Sequence, residues 1–313
     1  MQTSTTTETT DSMPSFKRVL VATDFSGASK AAFQTALRLC KVLPAHLSIL
    51  HVFEYSDGVP PESGGELIEL ESIYEKSKRS LDVLMLTAQQ EGVSCEPLMG
   101  GGTPSATILE TLLSKQIDLA VLGTKAIHGF ERLVFGSTAE AVIRKASCPV
   151  LTVGPQAAAS AAISEAEGPI IFATDFNLTT TRAIHFATSF CQSMKSPLHC
   201  LHVLPRTLEE GFQNQIVLQI MTEALQHVAS ESGVAIEPPV CAIAYGSEIS
   251  NTVVDYARKQ KARLIVLGVR QASMMASHIP AHIAYRIITE APCPVLTMAF
   301  ASKLHWQLSA ACL

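Results

Sequence analysis

The residues best placed to do chemistry form one run, Gly123-Thr-Lys-Ala-Ile-His-Gly129-Phe-Glu-Arg-Leu-Val-Phe-Gly136-Ser137-Thr138-Ala-Glu140. Glycines let main-chain amides approach phosphate oxygens, and a helix opening just beyond them presents further N–H groups and a partial positive charge. Ser137 and Thr138 add two hydroxyl donors. The same residues also fit a pattern that needs no ligand, because Ser137-x-x-Glu140 reads as a capping box. Spacing alone leaves phosphate binding and a plain loop with a cap both open. Asp24, in Ala22-Thr23-Asp24-Phe25-Ser26, is a second polar group at the end of an apolar run. It reads either as a ligand-facing carboxylate or as an Asx-turn ahead of a helix.

Other clusters weigh less. His278 and His282 have the i, i+4 spacing of a metal pair. Pro280 lies between them and marks a helix start, and no third ligand follows, so no metal site is expected. His199 and His202 sit three apart on a predicted strand and face opposite ways. The eight cysteines contain no Cys-x-x-Cys pair, which argues against a zinc ribbon or a thioredoxin motif. Met274-Met275 and the tail around Trp306 offer apolar contact surface and no chemistry. No Gly-x-Ser-x-Gly, Walker A or His-Glu-x-x-His motif is present. The expectation is a ligand site without an evident reaction.

The elements that must hold these residues occur twice. Arg18–Val52 aligns with Pro169–Val203 at a constant offset of 151, and eleven of those 35 positions are identical. The shared residues include Ala22-Thr23-Asp24-Phe25, Cys40 and Leu50-His51-Val52. Further on the offset is 145, where Leu122-Gly123 meets Leu267-Gly268 and Cys148-Pro149-Val150-Leu151-Thr152 meets Cys293-Pro294-Val295-Leu296-Thr297. Repetition at fixed spacing is the mark of a tandem duplication. Histidines and cysteines that recur at equivalent places, such as His51 with His202, read as structural.

Each copy alternates strand and helix. In the first, apolar runs predict strands over 18–23, 47–53, 93–99, 117–122 and 150–153. Helical periodicity predicts helices over 28–42, 66–90, 104–115 and 137–145, the first capped by Ser26. In the second copy strands are expected near 169–174, 198–204, 235–243, 263–267 and 294–298. Strands joined by helices imply right-handed crossovers and an α/β fold with a parallel sheet covered on both faces. The expected architecture is two tandem doubly wound domains of five parallel strands each, Rossmann-like or flavodoxin-like. Ligands of such sheets bind beyond the carboxyl ends of the strands, where strand order reverses. The chain divides into a disordered tail (1–15), a first domain (16–154), a linker (155–167), a second domain (168–299) and a C-terminal tail (300–313).

Composition narrows the function. The chain has 313 residues, with 23 basic against 28 acidic side chains and only 16% charged residues. No basic stripe is present, which argues against nucleic-acid binding. Mean hydropathy is +0.26, but no apolar run approaches the roughly 18 residues of a membrane span. Residues 1–15 lack the basic and apolar segments of a secretory signal. Free thiols in the cytoplasm are therefore expected.

Several of these stretches, taken together and in order, resemble the universal stress protein family. They are Val19-Leu20-Val21-Ala22-Thr23-Asp24-Phe25-Ser26, Leu50-His51-Val52, Gly102-Thr103-Pro104, Asp118 to Thr124, Gly136-Ser137 and Cys148-Pro149-Val150-Leu151. The resemblance spans most of 16–154 and, more weakly, 168–299. It implies two doubly wound domains paired as a pseudo-dimer and, in one subfamily, ATP binding through Gly-x2-Gly-x9-Gly-Ser/Thr. Gly123, Gly136 and Ser137 match that motif. Its second glycine is replaced by Ala126, which would cost about 1–2 kcal/mol in a left-handed backbone and nothing in a right-handed one. Carried over by position, Asp24 and Val52 contact adenine or ribose. Gly123, Gly129, Gly136, Ser137 and Thr138 hold phosphates, with Mg2+ accompanying the nucleotide. The second copy keeps Asp175, Val203 and Gly268 but has Ala281-His282 in place of Gly-Ser, so ATP is expected in the first domain only. The resemblance also covers family members that bind no nucleotide and act as interaction scaffolds, in which the two domains would join through their fifth strands, Val150–Val153 and Val295–Met298, edges whose unpaired amides partner strands could cover. Association of two such chains as a homodimer is left open.

Overall fold

The computed structural model describes residues 16–54, 64–124, 136–159, 168–175, 181–205, 212–231, 238–270 and 281–300. The first copy runs β1 (Arg18–Thr23), α1 (Gly27–Val42), β2 (His46–Phe53), α2 (Gly64–Gln90), β3 (Cys95–Gly101), α3 (Pro104–Ser114), β4 (Leu119–Gly123), α4 (Ser137–Lys145) and β5 (Val150–Val153). A short helix, α5 (Pro155–Ala159), occupies the start of the expected linker. The second copy follows with β6 (Ile170–Ala173), α6 (Thr181–Met194), β7 (Leu198–Leu204), α7 (Phe212–Glu231), β8 (Val240–Tyr245), α8 (Ile249–Lys259), β9 (Leu264–Arg270), α9 (Ala281–Glu290) and β10 (Val295–Phe300). No helix among the described residues is long and apolar enough to cross a membrane.

The expected strands all form, with shifted ends. β3 begins at Cys95 rather than residue 93, and β8 begins at Val240 rather than 235. Val93 is buried under α2 before the ladder starts, donating its N–H to the Ala88 carbonyl, so its apolar character serves helix packing instead of pairing.

Within each copy the strands are parallel, and the orders β3-β2-β1-β4-β5 and β8-β7-β6-β9-β10 are the same. The order reverses between β1 and β4. Successive strand residues face alternate sides, so the β1 residues Val19 and Val21 enter one core and Leu20 the other, all at 0% exposure. The first core lies under α1, α2, α6 and α7, and the second under α3, α4, α8 and α9. Strands buried on both faces need few charged residues, which accounts for the low charge content.

The two copies share one sheet. β5 and β10 pair antiparallel, with Leu151 opposite Leu296, Thr152 opposite Val295 and Val150 opposite Thr297. Thr152 Oγ1 donates to the Val295 carbonyl at 3.0 Å, and Thr297 Oγ1 donates to the Val150 carbonyl at 3.2 Å. The two contacts exchange repeat-equivalent residues, as a two-fold axis through the Leu151–Leu296 pair requires. Both threonines are buried, and each hydroxyl bond contributes about 1 kcal/mol. Phe16 stacks on Phe190 of α6 with ring centroids 4.7 Å apart. Arg144 Nε donates to the Tyr285 hydroxyl at 2.9 Å, joining α4 to α9. The fifth strands are therefore not edges open to an outside partner. Each is the other's partner, and β3 and β8 are the outer strands of the ten-stranded sheet.

Candidate functional site

The C-terminal ends of β1, β2 and β4 open into a cleft of about 380 Å3 roofed by the first turns of α1, α3 and α4. Six of the seven expected site residues line it: Asp24, Val52, Gly123, Gly136, Ser137 and Thr138. Gly129 and Ala126 lie outside the described residues, as do the His278 position, Met274-Met275 and Trp306. Leu50, Ile108 and Leu122 form an apolar wall beside Val52. The cleft thus has a greasy end, a hydroxyl-rich end and carboxylates at Asp24 and Glu54. A concave apolar site with a few convergent polar groups is the usual form of a small-molecule pocket.

The turn after β1 presents Asp24. Its Oδ1 accepts the Ser26 N–H at 3.0 Å, which is the Asx-turn anticipated as the local reading. Ser26 caps α1, its Oγ accepting from the Ser29 N–H at 3.4 Å. Phe25 is held at φ 59, a conformation costly for a residue with a side chain. The neighbours fix it there. Phe25 N–H donates to Thr23 Oγ1 at 3.0 Å, and its ring lies 4.5 Å from that of buried His51. His51 Nδ1 is 2.8 Å from the Thr23 carbonyl oxygen. A carbonyl only accepts, so Nδ1 carries the proton. His202 repeats this contact with the Thr174 carbonyl at 2.8 Å. The recurring histidines are structural braces of the turn.

The two motif glycines within the described residues do different things. A Cβ at Gly123 would lie 2.2 Å from the Ala28 carbonyl oxygen and 2.8 Å from the Ser29 nitrogen. β4 passes too close beneath the first turn of α1 for any side chain, so Gly123 is demanded by packing. Gly136 has φ −60 and ψ 130, extended backbone open to any residue, and a Cβ there would meet nothing within 4 Å among the described residues. Neither its conformation nor its packing against the described residues requires a glycine at 136.

Gly136 is also the N-cap of α4, without a side-chain cap bond, so Ser137 is the first helical residue. The expected capping box is not formed. Glu140 instead pairs with Arg144 at 2.8 Å, and its N–H bonds to the Gly136 carbonyl. The Ser137 and Thr138 side chains line the cleft at a helix N-terminus, where the macrodipole favours an anion.

Thr124, which motif reasoning passed over, lines the same cleft at 3% exposure, and its hydroxyl has no hydrogen-bond partner among the described residues. Comparing the repeats could have flagged it, since position 269 of the second copy is valine. No group of three metal-binding side chains occurs among the described residues. Burial pushes the thiols of Cys40, Cys148, Cys191 and Cys293 up to about 12. At pH 8 a coloured disulfide reagent is expected to leave these four unmodified in the native protein and to label them all in urea. Rapid native labelling of any of them would show that thiol to be accessible rather than buried.

Comparison with known proteins decides the family. The model of the "Universal stress protein family" matches twice, over residues 15–154 and 168–298. The chain belongs to the universal stress protein family. Universal stress protein MJ0531 of Methanocaldococcus jannaschii is 35% identical over 140 residues, covering 44% of this chain and 82% of the relative. Universal stress protein YxiE of Bacillus subtilis is 31% identical over 146 residues, covering 44% of this chain and 99% of its own length. Each relative corresponds in length to one of the two copies. A solved universal stress protein from Archaeoglobus fulgidus has a TM-score of 0.70 at 20% identity, covering 90% of this chain and 97% of its own. That likeness extends the shared fold across both copies. The present chain is a tandem universal stress protein built on a mostly parallel α/β sheet.

Proposed function

We propose that the cleft of the first copy binds ATP, with Mg2+ held on the phosphates, and that the chain acts in the cytoplasm as a nucleotide-responsive regulator of the stress response. The observation that carries this reading is Gly136: a glycine that neither its backbone nor its packing against the described residues needs, lining a cleft beside a helix N-terminus. Space kept free where a side chain would fit is space for a ligand. Asp24 and Val52 take the adenine and ribose end. Gly136, Ser137 and Thr138, with Gly129 and the main chain at Gly123, take the phosphates. A volume of about 380 Å3 falls within the roughly 300–1,000 Å3 of pockets for ligands of this size.

The second copy serves as the structural partner and binds no nucleotide. Whereas β4 of the first copy ends at Gly123, β9 continues past Gly268 to Arg270 and pairs with β10 as far as Phe300. Main-chain amides there are spent in the ladder. No turnover is assigned beyond slow hydrolysis of ATP.

Calorimetry with Mg-ATP is expected to give one site per chain, and ATP is expected in the supernatant when the purified protein is heat-denatured. Absence of binding at millimolar nucleotide overturns the proposal, and a stoichiometry of two overturns the assignment to the first copy.

A further inference from the structure

Cys200 on β7 and Cys241 on β8 are register partners in a parallel ladder. Register partners on neighbouring strands point to the same face of the sheet. Here that face is the first core, where Cys200 is 0% exposed and Cys241 packs against it half-buried. Neighbouring strands run about 4.7–4.9 Å apart, inside the roughly 4.4–6.8 Å between the Cα atoms of a disulfide. The Cα spacing of this pair therefore permits a disulfide.

The two sulfurs differ in access and in partners. β8 is an outer strand of the sheet, so Cys241 is the partly exposed member of the pair. Thr222 Oγ1 of α7 lies 3.5 Å from its Sγ and 2.8 Å from the Leu218 carbonyl oxygen. A hydroxyl has one proton and free rotation, so it can leave the carbonyl for the sulfur when the sulfur is charged. Cys95, on the opposite outer strand, has the reverse arrangement: its S–H donates to the Met85 carbonyl at 3.8 Å. Burial, and after it the neighbouring Cys241, pushes the Cys200 thiol up, so Cys200 is not the sulfur that reacts first.

The first copy shows that packing needs neither thiol. The offset of 151 places Ile49 where Cys200 stands, and the register partner of Ile49 is Pro97. We propose that Cys200 and Cys241 form a peroxide-sensitive pair, in which Cys241 is oxidised first and Cys200 resolves it to a disulfide. The Cys241 thiolate attacks one oxygen of hydrogen peroxide; an S–O bond forms, the O–O bond breaks and hydroxide leaves. Cys241 is then a sulfenic acid, and the peroxide has been reduced. The Cys200 sulfur displaces the sulfenic oxygen, which leaves with the Cys200 proton as water while the S–S bond forms. Two thiols and one peroxide thus give one disulfide and two waters. The bond ties the outer strand to its neighbour and closes a loop that contains α7. A dithiol reductant restores both thiols.

The test treats the reduced full chain with hydrogen peroxide, alkylates the remaining thiols in urea and maps the peptides by mass spectrometry, before and after dithiothreitol. The expected result is a peptide pair joined through Cys200 and Cys241 that dithiothreitol separates, with two of the eight thiols lost at that pair. Cys200→Ala is expected to leave Cys241 as a sulfenic acid that dimedone captures, and Cys241→Ser to leave Cys200 reduced. Recovery of both cysteines as alkylated thiols after peroxide overturns the proposal. So does Cys241 joined to any other cysteine, or Cys241 carried to sulfinic acid with Cys200 still free. These outcomes are read on the wild type and hold even where a variant fails to fold.

Discussion

Gly136→Phe is expected to weaken Mg-ATP binding at least about 100-fold, a loss of about 2.7 kcal/mol, while the melting temperature without ligand stays within about 2 °C of wild type. The two halves of this result have separate causes. The fold tolerates the change because Gly136 sits at φ −60 and ψ 130 and a Cβ there meets nothing within 4 Å among the described residues. The ligand does not, because the new ring enters the cleft at the N-cap of α4, where the phosphates would meet the first helical amides. Calorimetry and a thermal melt on the same preparation read both. Unchanged affinity would remove the phosphates from this end of the cleft. Gly123→Ala is the wrong experiment for the purpose, since its Cβ would strike the Ala28 carbonyl oxygen and unsettle α1 whether or not a nucleotide binds.

Gly154→Ala is expected to destabilise the whole chain by about 3 kcal/mol. Gly154 follows β5, and a Cβ there would lie 2.0 Å from the carbonyl oxygen of Ile288 in α9 of the other copy. Ile288 is itself fully buried. Relief by local movement is costly, because β5 is pinned by β4 on one side and β10 on the other. The strain therefore falls on the junction of the two copies. A shift of the urea midpoint with unchanged slope is the expected signature. A loss below about 0.5 kcal/mol, the range of an ordinary surface substitution, would show that the junction can open far enough to clear the Ile288 carbonyl without penalty.

These two glycines mark how far the sequence could be read and where it stopped. The duplication was legible because Ala22-Thr23-Asp24-Phe25 and Leu50-His51-Val52 recur at one offset, and the doubly wound order followed from strands separated by helices. Part of the cleft lining was legible: Gly123, Gly136, Ser137 and Thr138 stand out as glycines and hydroxyls at strand ends, whereas Val52 was named only through the family resemblance. The cause of each glycine was not legible. Gly123 answers to the Ala28 carbonyl, and Gly154 to Ile288, both contacts made by distant parts of the chain. Ser137-x-x-Glu140 looked like a capping box because the pattern cannot say which residue leaves the helix first. Gly136 does, one position earlier. The fifth strands could be named as the junction of the two copies, but the antiparallel register of β5 on β10 could not, because the composition of an edge does not say which residues will face each other.

The antiparallel seam at Leu151 and Leu296 reproduces within one chain the symmetry of a homodimer. A homodimer encoded once must carry every substitution twice, so both of its sites are kept or lost together. Covalent joining releases that constraint. Valine can replace threonine at 269 while threonine stays at 124, and glycine can vanish from one loop while the other keeps it. The seam still holds both halves to a common geometry, with Thr152 and Thr297 bonded reciprocally across it. Fusion thus lets either half change on its own, which a symmetric pair cannot do.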